Sequence, residues 1–256
     1  MTVGAPGKNL AVSVVIPVYN DQEVLNELYR RLSPVLNAQQ PNHEIIFVDD
    51  GSIDDSVKIL REIQTSDYRL KIVVLSNNFG QSNAIAAGLE SCTGEIIVVM
   101  DCDLEDRPED IPTLLEMLES SSKPLVIAQR EIRRIPFAEK LLSNLFFALA
   151  NLITNITQPA HLGVFRAFKR SSYQKIKQDK TLQGTILSRF YQAEVPFATV
   201  QLVKDKRFAG SSGYTFGKRC KLAFDRLLPH LKNPAFRQER NPYFVVKEII
   251  EIRETK

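Results

Sequence analysis

The sequence predicts an α/β protein, a mostly parallel, Rossmann-like sheet with helices on both faces. Three observations predict it. Short, continuous runs of apolar and β-branched residues recur; segments with helical spacing separate them; and several of the runs end abruptly in polar or acidic clusters. Strands that are apolar throughout, rather than alternating, suit a sheet buried on both sides. Ligands on such sheets sit at the carboxyl ends of the strands.

The elements follow in order. Ala11 to Ile16 is a β-branched run stopped by Pro17, and Asp21 to Ala38 carries helical spacing through Val24, Leu25, Leu28, Leu32 and Leu36. Glu44 to Val48 reads as the second strand, and Asp54 to Ile63 as the second helix, with Ser52 or Asp54 placed to cap it. Lys71 to Leu75, Glu95 to Met100 and Leu125 to Ala128 are further strands; Ser82 to Ser91 and Ile111 to Leu118 are the helices between them. The tail, Val245 to Lys256, is charged and forms either a helix or a strand folding back on the domain or onto a partner subunit.

Four strand ends then face one crevice: Pro17-Val18-Tyr19-Asn20, Asp49-Asp50-Gly51-Ser52, Asn77-Asn78-Phe79-Gly80 and Asp101-Cys102-Asp103. Asp101 and Asp103 stand one residue apart, so an extended chain points both the same way. Paired carboxylates offer hard oxygens to Mg²⁺ or Mn²⁺, which are usually held by one or two carboxylates plus substrate phosphates. A turn with a helix cap accounts for Asp49-Asp50-Gly51-Ser52 alone. It does not account for a second acidic cluster at the fourth strand, where repulsion calls for a cation or donors. There is neither a Gly-x-Gly-x-x-Gly nor a P-loop sequence, so phosphates would be held by metal and basic side chains rather than by a glycine cradle.

Composition narrows the classes. The 256 residues, 44% hydrophobic and 25% charged, suit a globular protein, and a net charge of +3 gives no basis for nucleic-acid binding. Three cysteines in no zinc spacing read as thiols of a reducing cytosol. The first ten residues hold no apolar signal region. No uninterrupted apolar run reaches the roughly 18 residues that a membrane span needs. The expectation is therefore a cytoplasmic protein.

Residues Val14-Val15-Ile16-Pro17-Val18-Tyr19-Asn20, Val48-Asp49-Asp50-Gly51-Ser52-x-Asp54, Asn78-Phe79-Gly80 and Asp101-x-Asp103-Leu104-Glu105-Asp106-x-Pro108-Glu109 together resemble the family-2 glycosyltransferases of GT-A fold. The loop Arg207-Phe208-Ala209-Gly210-Ser211-Ser212-Gly213-Tyr214 is similar to the Arg-x-x-Gly-x-Ser-x-Tyr loop of the polyprenyl-phosphate hexosyltransferases, the dolichyl-phosphate mannose synthase and bactoprenyl-phosphate glucosyltransferase group. The resemblance covers roughly residues 11 to 230. It implies a flexible N-terminus over 1–10, a GT-A domain over 11–230 (a nucleotide-sugar half to 130 and an acceptor half beyond) and a C-terminal extension over 231–256. It also implies a nucleotide-sugar site at Pro17, Tyr19, Asn20, Asp49, Asp50, Gly80, Asp101, Cys102 and Asp103. Arg207, Ser211 and Tyr214 would close on the diphosphate, and Arg130 and Arg166 would face the acceptor. Asp103 is the expected metal ligand, with Asp101 beside it and Mg²⁺ or Mn²⁺ as the cofactor. Asp101, Asp103 and Arg207 are the residues expected to carry catalysis, an inverting transfer from a nucleoside diphosphate sugar.

Two departures bear on the acceptor. Gly163-Val164-Phe165-Arg166 stands where that group usually has Gly-Asp-Phe-Arg, and Gln81 where a basic residue is common. Phe137 to Ile156 is rich in Leu and Phe but broken by Ser143, Asn144, Asn151, Thr154 and Asn155, as suits either a helix lying in a headgroup plane or a core or oligomer-contact helix. Arg219 to Leu228 is a second amphipathic stretch, in a region from Lys204 to Arg240 where basic residues outnumber acidic ones. Three readings follow: a transferase peripheral at the inner membrane face with a polyprenyl-phosphate acceptor, a soluble transferase with a hydroxyl acceptor on a growing surface glycan, and an inactive nucleotide-sugar-binding regulator.

Overall fold

A computed structural model describes residues 11–39, 42–130, 162–179, 181–182, 185–208 and 243–251. Eight strands form one mixed sheet in the order β7-β5-β6-β4-β1-β2-β3-β8. They are β1 (Val12–Val18), β2 (His43–Asp49), β3 (Leu70–Leu75), β4 (Ile96–Val99), β5 (Leu125–Arg130), β6 (Leu162–Lys169), β7 (Phe197–Leu202) and β8 (Val246–Ile250). β4, β1, β2 and β3 run parallel as neighbours. β6 lies antiparallel between β4 and β5, and β7 is parallel to β5. The tail takes the strand form, with β8 antiparallel to β3.

Helices α1 (Leu25–Gln39), α2 (Ser56–Gln64) and α4 (Ile111–Ser120) cover one face, where Leu28, Leu32, Leu60 and Leu114 join a single apolar cluster with Val14 and Phe47. The other face is covered by α3 (Gln81–Glu90), α5 (Arg170–Gln178) and α6 (Ile186–Gln192), through Ala84, Ala87, Tyr173 and Phe190. All seven residues of β1 are buried, which is why its sequence carries no alternation. α3 lies very close to the sheet. A Cβ on Gly88 would sit 2.4 Å from a Val15 methyl and 2.9 Å from one of Val48. That approach brings the first turn of α3, beginning at Gln81, over the end of β4.

Two local expectations are corrected. β1 does not stop at Pro17 but runs to Val18. Val15 accepts from Met100 on the β4 side, so by alternation the missing N–H of Pro17 also faces β4, whose ladder with β1 has ended at Val99. Pairing with β2 continues, and Val18 accepts from the Asp50 amide. Neither Ser52 nor Asp54 is the cap of α2. Its N-cap is Asp55, whose side chain makes no capping bond. Ser52 Oγ instead accepts from the Asn20 amide, and Asp54 accepts from the amides of Gln22 and Ser56.

Among the described residues no helix is long and apolar enough to cross a membrane. The stretches 137–156 and 219–228, and Ser211 and Tyr214, lie outside the described residues, as does the side chain of Arg130, the last residue of β5.

Candidate active site

The loops after β1, β2 and β3 are tied together by hydrogen bonds between backbone and side chains. Asn20 donates its amide to Ser52 Oγ at 2.9 Å, and its own Oδ1 accepts from the Ile53 amide at 2.9 Å. Gln22 and Asp55 are joined through the Gln22 side chain, and the Asp21 amide donates to Ser56 Oγ. Asn20 holds a left-handed backbone (φ 53°), which its short amide side chain tolerates better than most. Between β2 and β3 the fit is tighter still: a Cβ on Gly51 (φ 74°) would lie 2.5 Å from the Asn77 carbonyl carbon. A cleft of about 550 Å³ opens beside these loops, lined by Asn20, Asp21, Gln22, Glu23, Val24, Ile53 and Asp54.

Asp49 and Asp50, expected in the nucleotide-sugar site, are 1% and 2% exposed. Asp50 accepts from the amides of Phe79 (2.7 Å) and Gly80 (2.8 Å), fixing the loop after β3, and Asp49 accepts from the Ser52 amide (3.1 Å). The second oxygen of Asp49 is buried without a partner among the described residues. Burial pushes both carboxyls above the usual carboxylate range, against those amide bonds. Each oxygen retains a lone pair for a ligand. Tyr19 is 45% exposed at the crevice mouth, its amide donating to Asp21.

The end of β4 has a different character. Asp101 is half-buried and accepts from Gln81 Nε2 at 2.6 Å. Burial first, then repulsion from Asp103 and Asp106, pushes its carboxyl up to about 7. Asp103 meets Arg207 Nη2 at 2.7 Å and accepts from the Glu105 amide. Its carboxyl is also raised, by burial, although Arg207 and Lys204 act in the other direction. Leu104, between Asp103 and Glu105, has φ 59° and is fully buried. A left-handed Leu is strained by about 1–2 kcal/mol, so its apolar anchoring holds the acids on either side in place.

The chain leaving β7 lies over this acidic loop. Lys204 pairs with Asp106 (3.1 Å) and Glu105 (3.5 Å), Arg207 reaches Glu105 (3.4 Å) as well as Asp103, and the Asp205 amide donates to the Glu105 carbonyl. Arg31 of α1 forms a two-pronged pair with Glu109. Arg207, expected on a diphosphate, thus rests on the acids themselves.

Cys102, placed by sequence among the nucleotide-sugar contacts, has its thiol buried and donating to Asp21 at 3.0 Å, on the sheet face opposite Asp101. Any contact it makes with a ligand would come from its backbone. Burial and the neighbouring Asp21 push that thiol well above its ordinary value.

Arg166 is no surface charge. It is 7% exposed, on β6 opposite Val99, and its Nε donates to the Val164 carbonyl. Burial lowers it to about 10, while Tyr191 and Asp101 favour its charge. It has no ion pair among the described residues, and the buried hydroxyl of nearby Tyr191 has no partner among them. Val164 packs against the second apolar cluster.

Gln81, Asp21, Lys204 and Tyr191 were missed as site residues. Only Gln81 carried a signal, as a departure from the family pattern. The other three are brought to the site by tertiary packing.

No group of three or more His, Cys, Asp or Glu side chains in metal-holding geometry occurs among the described residues. The donor set at Asp101 and Asp103 nevertheless fits a hard divalent ion completed by substrate phosphates and water. Asp101 is destabilised as an anion by its acidic neighbours, and the buried Asp106 Oδ2 lacks a partner among the described residues.

Comparison with known proteins agrees with this architecture. The chain is 33% identical over 227 residues to an uncharacterized glycosyltransferase of Bacillus subtilis (strain 168), covering 89% of this chain and 70% of the relative. It is 31% identical over 224 residues to the undecaprenyl-phosphate 4-deoxy-4-formamido-L-arabinose transferase of Proteus mirabilis (strain HI4320), covering 84% and 66%. It therefore spans about two thirds of the length of these relatives. Among solved structures, glucosyl-3-phosphoglycerate synthase from Mycobacterium tuberculosis, in complex with Mn²⁺, UDP and glucosyl-3-phosphoglycerate, superposes with a TM-score of 0.60 at 19% identity over 90% of this chain and 85% of that one, a likeness of GT-A fold. The model of the glycosyl transferase family 2 matches residues 13–177, and the chain belongs to that family.

Proposed function

We propose that the protein transfers a glycosyl unit, with inversion, from a nucleoside diphosphate sugar to a polyprenyl phosphate at the inner membrane face. The observation that carries this reading is the pair Asp101 and Asp103, with Arg207 on Asp103, at the end of β4 and in line with the interlocked loops that follow β1, β2 and β3. The nucleoside would lie along the loops after β1 to β3, against Tyr19, Asn20 and Gly80, and the diphosphate at Asp101 and Asp103. Asp103 and Asp101 would hold Mg²⁺ or Mn²⁺, which would supply positive charge to the departing diphosphate. Arg207 would release Asp103 and place its planar fork on the phosphates, joined by Ser211 and Tyr214, stabilising charge as it develops.

Arg166 supports an anionic acceptor. A buried guanidinium with no ion pair among the described residues is costly unless a ligand supplies the negative charge. An acceptor phosphate is already ionised near neutral pH and needs no base to attack, so Val164 in place of an acid is no obstacle. Arg130 would act beside Arg166. The relative from Proteus mirabilis, by its name an undecaprenyl-phosphate transferase, supports the same acceptor class. Contact with the membrane would come from 137–156 and the basic stretch after Lys204.

A transfer assay with radiolabelled nucleotide sugars, with and without polyprenyl phosphate in detergent, tests the reading. Counts in the organic phase are expected. Transfer only to a water-soluble glycan would select the hydroxyl-acceptor alternative, and nucleotide binding without any turnover would select a regulator. Asp103→Ala should abolish metal-dependent nucleotide binding in calorimetry, and undiminished binding would remove Asp103 from its role.

A further inference from the structure

We propose that Tyr243, in the segment just before β8, is a positioning residue for the nucleobase end of the donor. This rests on the donor reading above. Tyr243 lies well outside the matched family region, which ends at residue 177. It is nevertheless drawn to the loop after β3 by several contacts. Its amide donates to Asn83 Oδ1 at 3.1 Å, and the other end of the same side chain, Asn83 Nδ2, donates to the Phe79 carbonyl at 2.8 Å. Its ring meets Phe79 edge-on, with centroids 5.8 Å apart and planes at 77°. The Phe79 amide in turn donates to Asp50. Tyr243, Asn83, Phe79 and Asp50 therefore form one continuous brace.

The rest of the segment is firmly seated. The Ser76 amide donates to the Val245 carbonyl, Gln64 Nε2 donates to the Ile250 carbonyl, and Arg61 pairs with Glu248. Tyr243 is still 65% exposed. An aromatic this well anchored beside the loop after β3, yet this exposed, leaves ring surface that a ligand could cover.

Sheet order gives that surface its place. Asp101 and Asp103 follow β4, and β1, β2 and β3 lie beyond it in that order. β3 is three strand steps away, roughly 14 Å at ~4.8 Å per step. A diphosphate held at β4 sends its nucleoside along this row, and the base, the far end, comes toward the Phe79 loop. Planar bases are recognised by aromatic faces and edges together with a few fixed polar groups. Tyr243 would keep Phe79 and Gly80 in register with Asp50 and close the outer side of the base pocket.

The test uses the full chain with Mn²⁺ and two probes read by calorimetry, UDP or GDP (whichever the wild type binds) and inorganic pyrophosphate. Tyr243→Ala should weaken the nucleoside diphosphate by about fivefold, within the range of an aromatic edge pair. It should leave pyrophosphate affinity and the melting temperature unchanged. Tyr243→Phe, which keeps the ring and the backbone amide, should restore binding. An equal loss for both probes, or no loss for either, would overturn the role of Tyr243 while leaving the donor reading intact. A wild-type protein that binds neither probe would remove the donor reading and this inference with it.

Discussion

The two halves of the crevice are held by different forces. On the β1–β3 side, side chains and backbone amides interlock at fixed spacing: Asn20 with Ser52 and Ile53, Asp50 with Phe79 and Gly80, Gly51 against Asn77. On the β4 side, an acidic loop is held by Lys204, Arg207 and Arg31, several of these contacts part-exposed. Interlocked amides resist rearrangement, since a broken bond leaves a buried group unpaired. Part-exposed ion pairs exchange partners at little cost. On the proposed reading, one half would receive a ligand of fixed shape and the other would change partners when charge arrives.

Four substitutions break or sharpen this contrast, ordered by their expected effect on unfolding free energy. Gly51→Ala puts a Cβ into the Asn77 backbone at positive φ and should cost about 3 kcal/mol or more in urea unfolding. Asp50→Ala, which leaves the Phe79 and Gly80 amides unpaired, should cost about 2 kcal/mol and loosen nucleotide binding.

Glu44, at the opposite ends of the strands, provides a control away from the crevice. Burial pushes its carboxyl up, but bonds from Ser13 (2.5 Å) and the Thr93 amide (2.6 Å), with Lys71 beside it, bring it below its ordinary 4.5. Its folded value being the lower one, it stabilises the fold fully above pH 4.5 and loses that contribution as pH falls through the folded value. Glu44→Gln should cost about 1–2 kcal/mol at pH 7 and flatten the acid limb of a stability–pH curve, with the Michaelis constant for donor unchanged. Arg207→Ala closes the series. It should shift unfolding by under about 1 kcal/mol, yet lower kcat/KM on the order of 10²-fold, because a charge that meets the leaving group matters more to the reaction than to the fold.

The four parallel strands and their polar or acidic ends were legible in the sequence because burial on both faces demands continuous apolar runs, and Asp, Asn and Gly mark the turns. The positions of β6 and β8 were not. An antiparallel strand inserted between β4 and β5, and a tail that caps β3, depend on pairing across long stretches of chain that local patterns do not encode. Leu104 gave no sign of its left-handed backbone, since Leu is not a turn residue and only the core beneath it enforces the conformation. Arg166 gave no sign of its burial, which comes from tertiary packing around β6 and not from local sequence. Asp49 and Asp50 read as ligand contacts, but they double as internal braces whose partners lie up to 30 residues away in the chain.

Arg207 on Asp103 and Glu105 has one more consequence. The Arg207 guanidinium pairs with the acids proposed to hold a divalent ion, so on that reading the ion would enter by exchange rather than by filling bare acids. The guanidinium so displaced would be freed beside the incoming pyrophosphate group. Ion loading and anion capture would thereby become a single trade, and a cation without nucleotide would have to compete against a tethered rival that never diffuses away.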